Sequence, residues 1–331
     1  MAEPESIGAG PPGDPRSSEV RPVRAKRAPL SVKAAGYAMA AAGASLFATK
    51  GIIIKLAYRD HVTAEALLTL RLGLSAPVYI AIGLMAVSRG RGWPEPRLIA
   101  QTALVGALGY WFASYTDFLG LNFISVQFER LILFTYPAFV VLFGAILFRQ
   151  RVRPAALTGI ALSYAGLVLM FATKLHVEGP SAAKGAGLVL SAAIAFAFYQ
   201  LLAKGLIARM GARLFTCIAM LGAAAATFVQ FALTQPMSSL VLAPEPMAYA
   251  AVLAVGATIL PSFFLNAALE RISPQANSAI ATLSPVITIA LAVAILGETV
   301  TWTDAAATAL VLAGVGWFTL SDMRRPATQD G

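Results

Sequence analysis

Long apolar runs recur along almost the whole of this sequence. Each is close to the roughly 20 residues that an α-helix needs to cross the hydrocarbon core of a bilayer. Hydrophobic residues make up 58% of the chain and charged residues only 12%, about half the usual charged share. A soluble core would account for one or two such runs. We therefore predict an all-α integral membrane protein with ten transmembrane helices, at residues 36–56, 64–87, 99–121, 124–148, 155–173, 185–208, 214–234, 248–269, 274–296 and 302–321.

The two ends of the chain are different in composition. Residues 1–33 form a basic N-terminal tail that is rich in proline, glycine and charged residues. Such a segment cannot bury enough apolar surface to offset the entropy lost on ordering, so we predict that it is disordered. Residues 324–331 form the C-terminal tail. A cleaved signal peptide at 21–44 is the competing interpretation, but its apolar part continues to full spanning length, which favours a retained first helix.

The net charge of +9 is explained by its distribution. With the N-terminus inside, ten spans place both termini in the cytoplasm, and most lysines and arginines then fall on the cytoplasmic side. That bias is the positive-inside rule of membrane proteins. It predicts a multi-pass membrane protein with both termini in the cytoplasm and gives no reason to expect a nucleic-acid partner. The alanine-rich composition suggests that the membrane is a bacterial inner membrane.

The second half of the chain repeats the first. An offset of 148 aligns Ser125 with Ser273 and Gln127 with Gln275, together with a proline in mid-helix in each half. An offset of 149 aligns "FATKGIIIK" with "FAFYQLLAK". The loop after helix 4, "RQRVR", is basic, whereas its counterpart "GETVTWTD" contains no base. Because five helices per half is an odd number, we predict a 5+5 inverted repeat with halves at 34–175 and 183–323.

These features resemble the drug/metabolite transporter (DMT) superfamily, in its duplicated EamA type. The resemblance rests on "LGLNFISVQFERLILFTYP", on "LERISPQANSAIATLSPVITIALAVAILGE" and on Gly297-Glu298 after helix 9. It implies a cavity enclosed by helices 1–4, 6, 8 and 9, with helices 5 and 10 outside it. The sequence departs from the family pattern at Gln150, where a glutamate is usual, and at Glu129-Arg130, where small residues are common.

Polar residues inside the apolar runs are the candidates for a binding site, because such residues normally face protein or a water-filled cavity. Helix 3 carries a polar stripe, Tyr110, Ser114 and Asp117, and an adjacent aromatic stripe, Trp111, Tyr115 and Phe118. The residues that we predict to line a substrate cavity are Lys50, Arg71, Tyr110, Trp111, Tyr115, Tyr199, Gln200, Gln275, Asn277 and Ser278.

Glu129 and Arg130 stand side by side near the start of helix 4. Neighbouring residues in a helix point about 100° apart, so we expect each side chain to reach a different helix. Glu129 would pair with Lys50 or Arg71, and Arg130 with Asp117. Such ion pairs would either gate the pathway or tie the helices together, and the sequence leaves both readings open.

Pro137 and Pro285 occupy matching places in the two halves and each frees a carbonyl within a span. Breaks of this kind often lie beside transporter binding sites, although proline is also tolerated as a simple kink. We therefore predict helix breaks at both prolines.

The leading hypothesis is a secondary transporter that exports small metabolites by alternating access of the two halves, with amino acids or related compounds as the substrates that the resemblance implies. Proton coupling through Asp117 or Glu129 and uncoupled diffusion are both consistent with the sequence. A nucleotide-sugar, lipid-precursor or multidrug carrier is the alternative. A membrane-embedded enzyme is disfavoured, because the only histidines lie in predicted loops and no metal or cofactor motif is present. The expected partners are a small-molecule substrate and the bilayer, and a homodimer is compatible with the sequence.

Overall fold

The computed structural model describes residues 30–90, 92–148, 154–280 and 283–323. Within these ranges the regular structure is helical. The α-helices are α1 (Leu30–Ala48), α2 (Lys50–Arg59), α3 (Ala64–Ser88), α4 (Pro96–Gly106), α5 (Ala113–Gly120), α6 (Val126–Leu133), α7 (Tyr136–Phe148), α8 (Pro154–Glu178), α9 (Ser181–Met210), α10 (Ala212–Thr234), α11 (Pro244–Ala254), α12 (Leu260–Arg271), α13 (Pro274–Ile280), α14 (Leu283–Leu291) and α15 (Trp302–Met323). Three π-helical segments, Ala107–Phe112, Val255–Ile259 and Ala292–Leu296, and one 3₁₀ turn, Met237–Leu240, complete them.

Six helical stretches of the described chain are long and apolar enough to cross a membrane. They are Ser31–Arg59, Ala64–Ser88, Val126–Leu147, Ser181–Met210, Ala212–Thr234 and Pro244–Arg271. Leu157–Thr173 and Ile287–Leu296 are shorter apolar helices. The protein is thus an α-helical membrane protein. Helices also occupy the remaining predicted blocks, but their apolar stretches are shorter or more polar, so the count of ten stays a prediction.

Several predicted continuous helices are interrupted. The first breaks at Thr49, between α1 and α2, and the fourth breaks between α6 and α7. Pro137 is the second residue of α7, directly after that break, and Pro285 is the third residue of α14. The first break, at Thr49, contains no proline or glycine, so no residue there predicts a break.

Several close contacts between the two halves occur twice. In the second contact, each residue of the first is replaced by its counterpart in the other half. A Cβ atom on Gly36 would lie 2.9 Å from the side chain of Ile272, and one on Gly185 would lie 2.8 Å from that of Ile124. The repeat offsets of 149 and 148 convert the first pair into the second. Reciprocal contacts of this kind are made by two copies that face each other across an approximate twofold axis.

The interface between α8 and α15 shows the same exchange. A Cβ on Gly166 would meet the carbonyl oxygen of Ala307 at 2.7 Å, and one on Gly314 would meet that of Gly159 at 2.5 Å. The offset of 148 again relates the two contacts. The bare backbone of glycine lets these two helices approach closely, as small residues do in membrane helix pairs.

The backbones of α4 and α10 are in equally close contact. A Cβ on Gly106 would lie 2.0 Å from the carbonyl oxygen of Ala219, and one on Gly222 would lie 2.5 Å from that of Ala103. No side chain fits in these spaces unless the helices move apart. The π-helical segment Ala107–Phe112 begins directly after Gly106.

We expect Gly106→Ala to lower the thermal unfolding temperature of the purified protein in detergent, because overpacking costs about 1–3 kcal/mol. Gly205→Ala is the matched control. A Cβ there has no neighbour within 4 Å, and alanine is the better helix former by up to about 1 kcal/mol. Equal melting temperatures for the two variants would contradict this packing.

Candidate functional site

A cavity of about 80 Å³ lies between the two copies of the repeat. Its walls combine apolar and aromatic side chains with a few polar and charged ones. The lining residues are Ala44, Phe47, Lys50, Gly109, Tyr110, Ala113, Ser114, Asp117, Arg130, Leu133, Phe134, Tyr136, Ala192, Phe196, Leu265 and Ser284. Both halves contribute to these walls, whereas α8 and α15 contribute none of the lining residues that the structure describes.

The predicted polar stripe of the third helix forms one wall. Tyr110 lies in the π-helical segment and Ser114 and Asp117 lie on α5, and all three line the cavity. π-Helical turns are rare and occur frequently at functional sites. The spacing of i, i+4 and i+7 places these three side chains on one side of the helix, and that side lines the cavity.

The break at Thr49 places Lys50 beside this wall. The carbonyl groups of Phe47 and Ala48 precede the break, and each accepts a hydrogen bond from another helix. Arg130 donates to Phe47 O at 3.2 Å and Thr288 donates to Ala48 O at 2.8 Å. The interruption is thus satisfied inside the protein, as a break within a membrane span has to be.

Lys50 and Asp117 form a buried ion pair. The Nζ of Lys50 lies 2.5 Å from Oδ2 of Asp117, and their side chains are 7% and 1% exposed. A charge at this depth is costly unless it is paired. The pair joins α2 to α5 at the cavity wall.

The predicted partners of Glu129 and Arg130 are wrong. Lys50 binds Asp117, and the carboxylate of Glu129 lies 3.7 Å from Nε of Arg130, its own neighbour in the chain. The expectation rested on the directions of the two Cβ atoms. It failed because an arginine side chain is long enough for its Nε to return towards an adjacent carboxylate while its Nη2 reaches Phe47.

Arg71 lies behind the cavity wall rather than in it. Its Nη2 donates to Ser114 Oγ at 3.0 Å, and the guanidinium carbon lies 5.1 Å from the centre of the Phe118 ring. Cation–π contacts of this kind stabilise a desolvated arginine. Arg71 therefore supports a lining residue and does not itself line the cavity.

Trp111 and Tyr115 are not among the residues that line this cavity, so their role in binding a substrate stays a prediction. Trp111 donates its indole N–H to Gln230 at 2.5 Å, and Tyr115 donates its hydroxyl to Glu65 at 3.2 Å. They follow Tyr110 and Ser114 by one residue, so they point about 100° away, towards α10 and α3. The aromatic stripe packs helices, and the polar stripe faces the cavity.

The predicted residues of the second half form a neutral polar network. Tyr199 donates to Asn266 at 2.7 Å and lies 3.3 Å from the hydroxyl of Tyr110, while Asn277 donates to Gln200 at 3.1 Å. Among the predicted residues of this half, none is a lining residue in the described part of the chain. Gln275 is half-buried on α13, and the side chain of Ser278 lies outside the described residues.

Glu298, which the family resemblance singled out, binds the N-terminus of α6. Its carboxylate accepts hydrogen bonds from the backbone amides of Val126 at 3.0 Å and Gln127 at 3.3 Å. The carboxylate that follows the last part of helix 9 thus caps the N-terminus of α6, where negative charge is favourable. Gln150, its counterpart in the first half, lies outside the described residues.

Sequence reasoning missed the apolar part of the lining. Phe47, Phe134, Tyr136 and Phe196 line the cavity, and the rings of Tyr136 and Phe196 meet edge to face at 5.2 Å. Nothing in the sequence distinguishes these aromatic residues from the many others in apolar runs. The alignment of "FATK" with "FAFY" pairs Phe47 with Phe196, and that was the one available signal.

Comparison with known proteins identifies the class. The profile of the EamA-like transporter family matches residues 34–172 and 183–320. The chain therefore belongs to the EamA-like transporter family, as a duplicated member of the DMT superfamily. Transporters of this family move small molecules across membranes and are generally not enzymes.

Two further proteins are similar to this chain. The Uncharacterized transporter YcbK of Bacillus subtilis (strain 168) is 28% identical over 277 residues, which are 80% of this chain and 86% of YcbK. A protein of known crystal structure matches 89% of this chain and 98% of its own length with a TM-score of 0.65 and 21% identity. At that identity the second match shows the fold alone.

The ion pair gives a stability prediction. Lys50→Met or Asp117→Leu alone should destabilise the protein by about 3–5 kcal/mol, because each leaves one buried charge without its partner. The double variant should recover most of that loss. Thermal unfolding of the four proteins in the same detergent measures the coupling, and additive losses in the double variant would show that the pair is not coupled.

Proposed function

We propose that this protein is a secondary transporter of the bacterial inner membrane that exports amino acids or related small metabolites. It would have ten membrane-spanning helices arranged as two inverted halves, with both termini in the cytoplasm. The substrate would bind in the cavity between the halves and cross as one half rocks against the other.

The observation that carries this proposal is the composition of the cavity wall. Asp117 offers a negative group, Lys50 and Arg130 offer positive groups, and the remaining walls are largely apolar and aromatic. A zwitterion with an apolar or aromatic side chain has the complementary chemistry, because each of its charges can meet an opposite charge. Aromatic faces also attract an ammonium group.

The ten-helix arrangement is supported by the reciprocal contacts between the halves. Gly36–Ile272 mirrors Gly185–Ile124. Gly36 and Gly185 lie in the first predicted helix of each half, and Ile124 and Ile272 lie at or just before the start of the fourth predicted helix of each half. A parallel repeat would keep the loops of both copies on the same side, whereas the basic and non-basic loops of the two halves differ in charge.

The size of the cavity supports alternating access. Its volume of about 80 Å³ is well below the roughly 300–1,000 Å³ of typical small-molecule sites. A substrate would therefore need the halves to separate before it could enter. Binding would take place in an open form, and crossing would pass through a closed form like the one described.

A carrier of phosphorylated substrates receives less support. Lys204 donates to the backbone carbonyls of Leu269 and Ile272 and so is engaged by the protein. Lys50 and Arg130 share the cavity wall with Asp117, whose carboxylate would repel a phosphate group and attract an ammonium group.

Efflux from proteoliposomes tests the proposal. Vesicles would be loaded with a labelled panel of amino acids, purines and cationic dyes, and release would be compared with that from empty-membrane vesicles. We expect faster release of one or more amino acids. Asp117→Asn should slow that release about tenfold or more, because a lost charge contact costs 2 kcal/mol or more.

Lys184→Gln is the control, because Lys184 is exposed and lies over the ring of Phe123, away from the cavity. Its rate should equal that of the wild type at equal protein content. If the dyes or purines leave and the amino acids do not, the proposed substrate class is wrong. If Asp117→Asn transports as the wild type does, the cavity is not the binding site.

A further inference from the structure

We propose that Glu129, together with Asp117, forms a proton-binding site that couples export to the inward flow of protons. The ammonium group of the substrate would compete with the proton for these two carboxyl groups. This inference rests on the proposed transport function and names its coupling ion and the residues that hold it.

Glu129 is fully buried, at 0% exposure, and neither carboxyl oxygen accepts a hydrogen bond from the described part of the chain. The 3.7 Å separation from Nε of Arg130 is too long for a hydrogen bond. Gly51 adjoins this carboxyl group, since a Cβ atom on Gly51 would lie 3.5 Å from Oε2 of Glu129. Burying an ionised carboxylate in this way is costly, and a neutral carboxyl group avoids most of that cost.

The helix that carries Glu129 offers it no donors. Glu129 lies in the first turns of α6, where free backbone amides would usually stabilise a carboxylate. Those amides are already occupied. Glu298 binds the amides of Val126 and Gln127, and the hydroxyl of Ser125 binds the amide of Phe128.

A proton on Glu129 would supply the missing interaction. Asp117 accepts the Lys50 ammonium group through Oδ2, while its Oδ1 accepts no hydrogen bond from the described residues. Lys50 binds Asp117, and the next residue, Gly51, adjoins Glu129, so the two carboxyl groups belong to one cluster. In this proposal a protonated Glu129 donates to Oδ1 of Asp117, which satisfies both groups at once. After the proton leaves, Arg130 remains beside Glu129 to stabilise the carboxylate, so both states are accessible.

The charged groups that act on Glu129 come from three helices. They are Lys50 on α2, Asp117 on α5 and Arg130 on α6 itself. Of the other helices that pack on α6, α14 has no ionisable residue. The lysines of α9 are engaged elsewhere, Lys204 with backbone carbonyls and Lys184 with the Phe123 ring.

The tyrosines of α9 and of one further helix, α8, complete these surroundings. They lie in aromatic contacts of their own, Tyr199 with Tyr110 and Tyr164 with Phe139. The ionisable side chains of α8 beyond Thr173 lie outside the described residues.

The second half shows that these helices can pack without charge. The offsets of 148 and 149 relate Glu129 to Asn277 and Gly51 to Gln200, and there Asn277 donates a neutral hydrogen bond to Gln200. Lys50 corresponds to Tyr199, whose hydroxyl binds Asn266, one residue beyond the counterpart of Asp117. Neutral pairs therefore hold the equivalent helices together. A purely structural tie would not require the four charges of the first half, whereas a site that gains and loses a proton requires a carboxyl group such as that of Glu129.

The exchange balances one proton against one substrate. In the form open to the cytoplasm, Glu129 releases its proton to water and the substrate ammonium takes its place beside the two carboxylates. In the form open to the outside, a proton returns to Glu129 and the substrate leaves. Asp117 and Arg130 line the cavity, and Arg130 adjoins Glu129, so the cavity is the route for both.

Infrared spectroscopy tests the proton site without any substrate. A neutral carboxyl group has its own C=O stretching band, separate from that of a carboxylate. We expect the wild-type protein in lipid to show this band at neutral pH and to lose it at alkaline pH. Glu129→Gln should lack the band, and the control Glu95→Gln, which removes an exposed carboxylate, should keep it. A full band in Glu129→Gln would overturn the proposal.

Transport tests the coupling. For each protein, release of a labelled amino acid would be measured with and without an inward proton gradient, and the ratio of the two rates compared. The ratio should exceed one for the wild type and for Glu95→Gln, and the two rates should become equal for Glu129→Gln. An undiminished ratio in Glu129→Gln would overturn coupling at this residue while leaving the carrier intact. If no amino acid moves with the wild type, the proposed substrates are wrong, and the infrared band still decides whether Glu129 holds the proton.

Discussion

The break in the first helix at Thr49 is the feature on which the cavity depends. Inside a bilayer, a carbonyl group released from a helix has to find another donor. Arg130 of α6 and Thr288 of α14 supply the donors here, to Phe47 and Ala48. One interruption therefore fixes three helices from both halves at a single place. Lys50 is the first residue after the break and forms an ion pair with Asp117 on α5, and both residues line the cavity.

The two halves solve the same packing problem with different chemistry. Their close glycine contacts are exchanged almost residue for residue, as Gly36–Ile272 and Gly185–Ile124 show. At the centre, however, the first half places a lysine on an aspartate, and the second places a tyrosine on an asparagine. The backbone contacts are the same in both halves because a side chain in those spaces would separate the helices. The polar centres differ, and among the described residues the charged one belongs to the first half.

The sequence predicted those parts of the site that depend on periodicity. Tyr110, Ser114 and Asp117 face the cavity because their spacing places them on one side of a helix. The ion pairs could not be predicted in the same way, because they depend on which helices adjoin and on how far a side chain such as that of Arg130 reaches. The break at Thr49 was also invisible, since its stability comes from donors on distant helices and not from a proline.

The role of Glu298 as a helix cap could not be predicted from the sequence either. The resemblance drew attention to this carboxylate, but its partners, the amides of Val126 and Gln127, are backbone groups that carry no sequence signal. The apolar residues that line the cavity are even harder to predict from the sequence. Phe196 and the aromatic residues that pack against helices elsewhere have identical chemistry, and only the fold decides which of them face the cavity.

The free energy needed to separate the two halves depends on two kinds of contact, the tightly packed glycine contacts and the charged cluster of the first half. The glycine contacts of α8 with α15 and of α4 with α10 leave no space for sliding, so those pairs should move as units. The charged cluster is different, because separating its helices would let water reach groups whose burial is costly. Hydration of Lys50, Asp117 and Glu129 would offset the loss of their mutual attraction, whereas the neutral pair of Tyr199 and Asn266 would gain much less. The free energy of opening should therefore depend most on the charge state of the first half, and a single proton on Glu129 changes that charge directly.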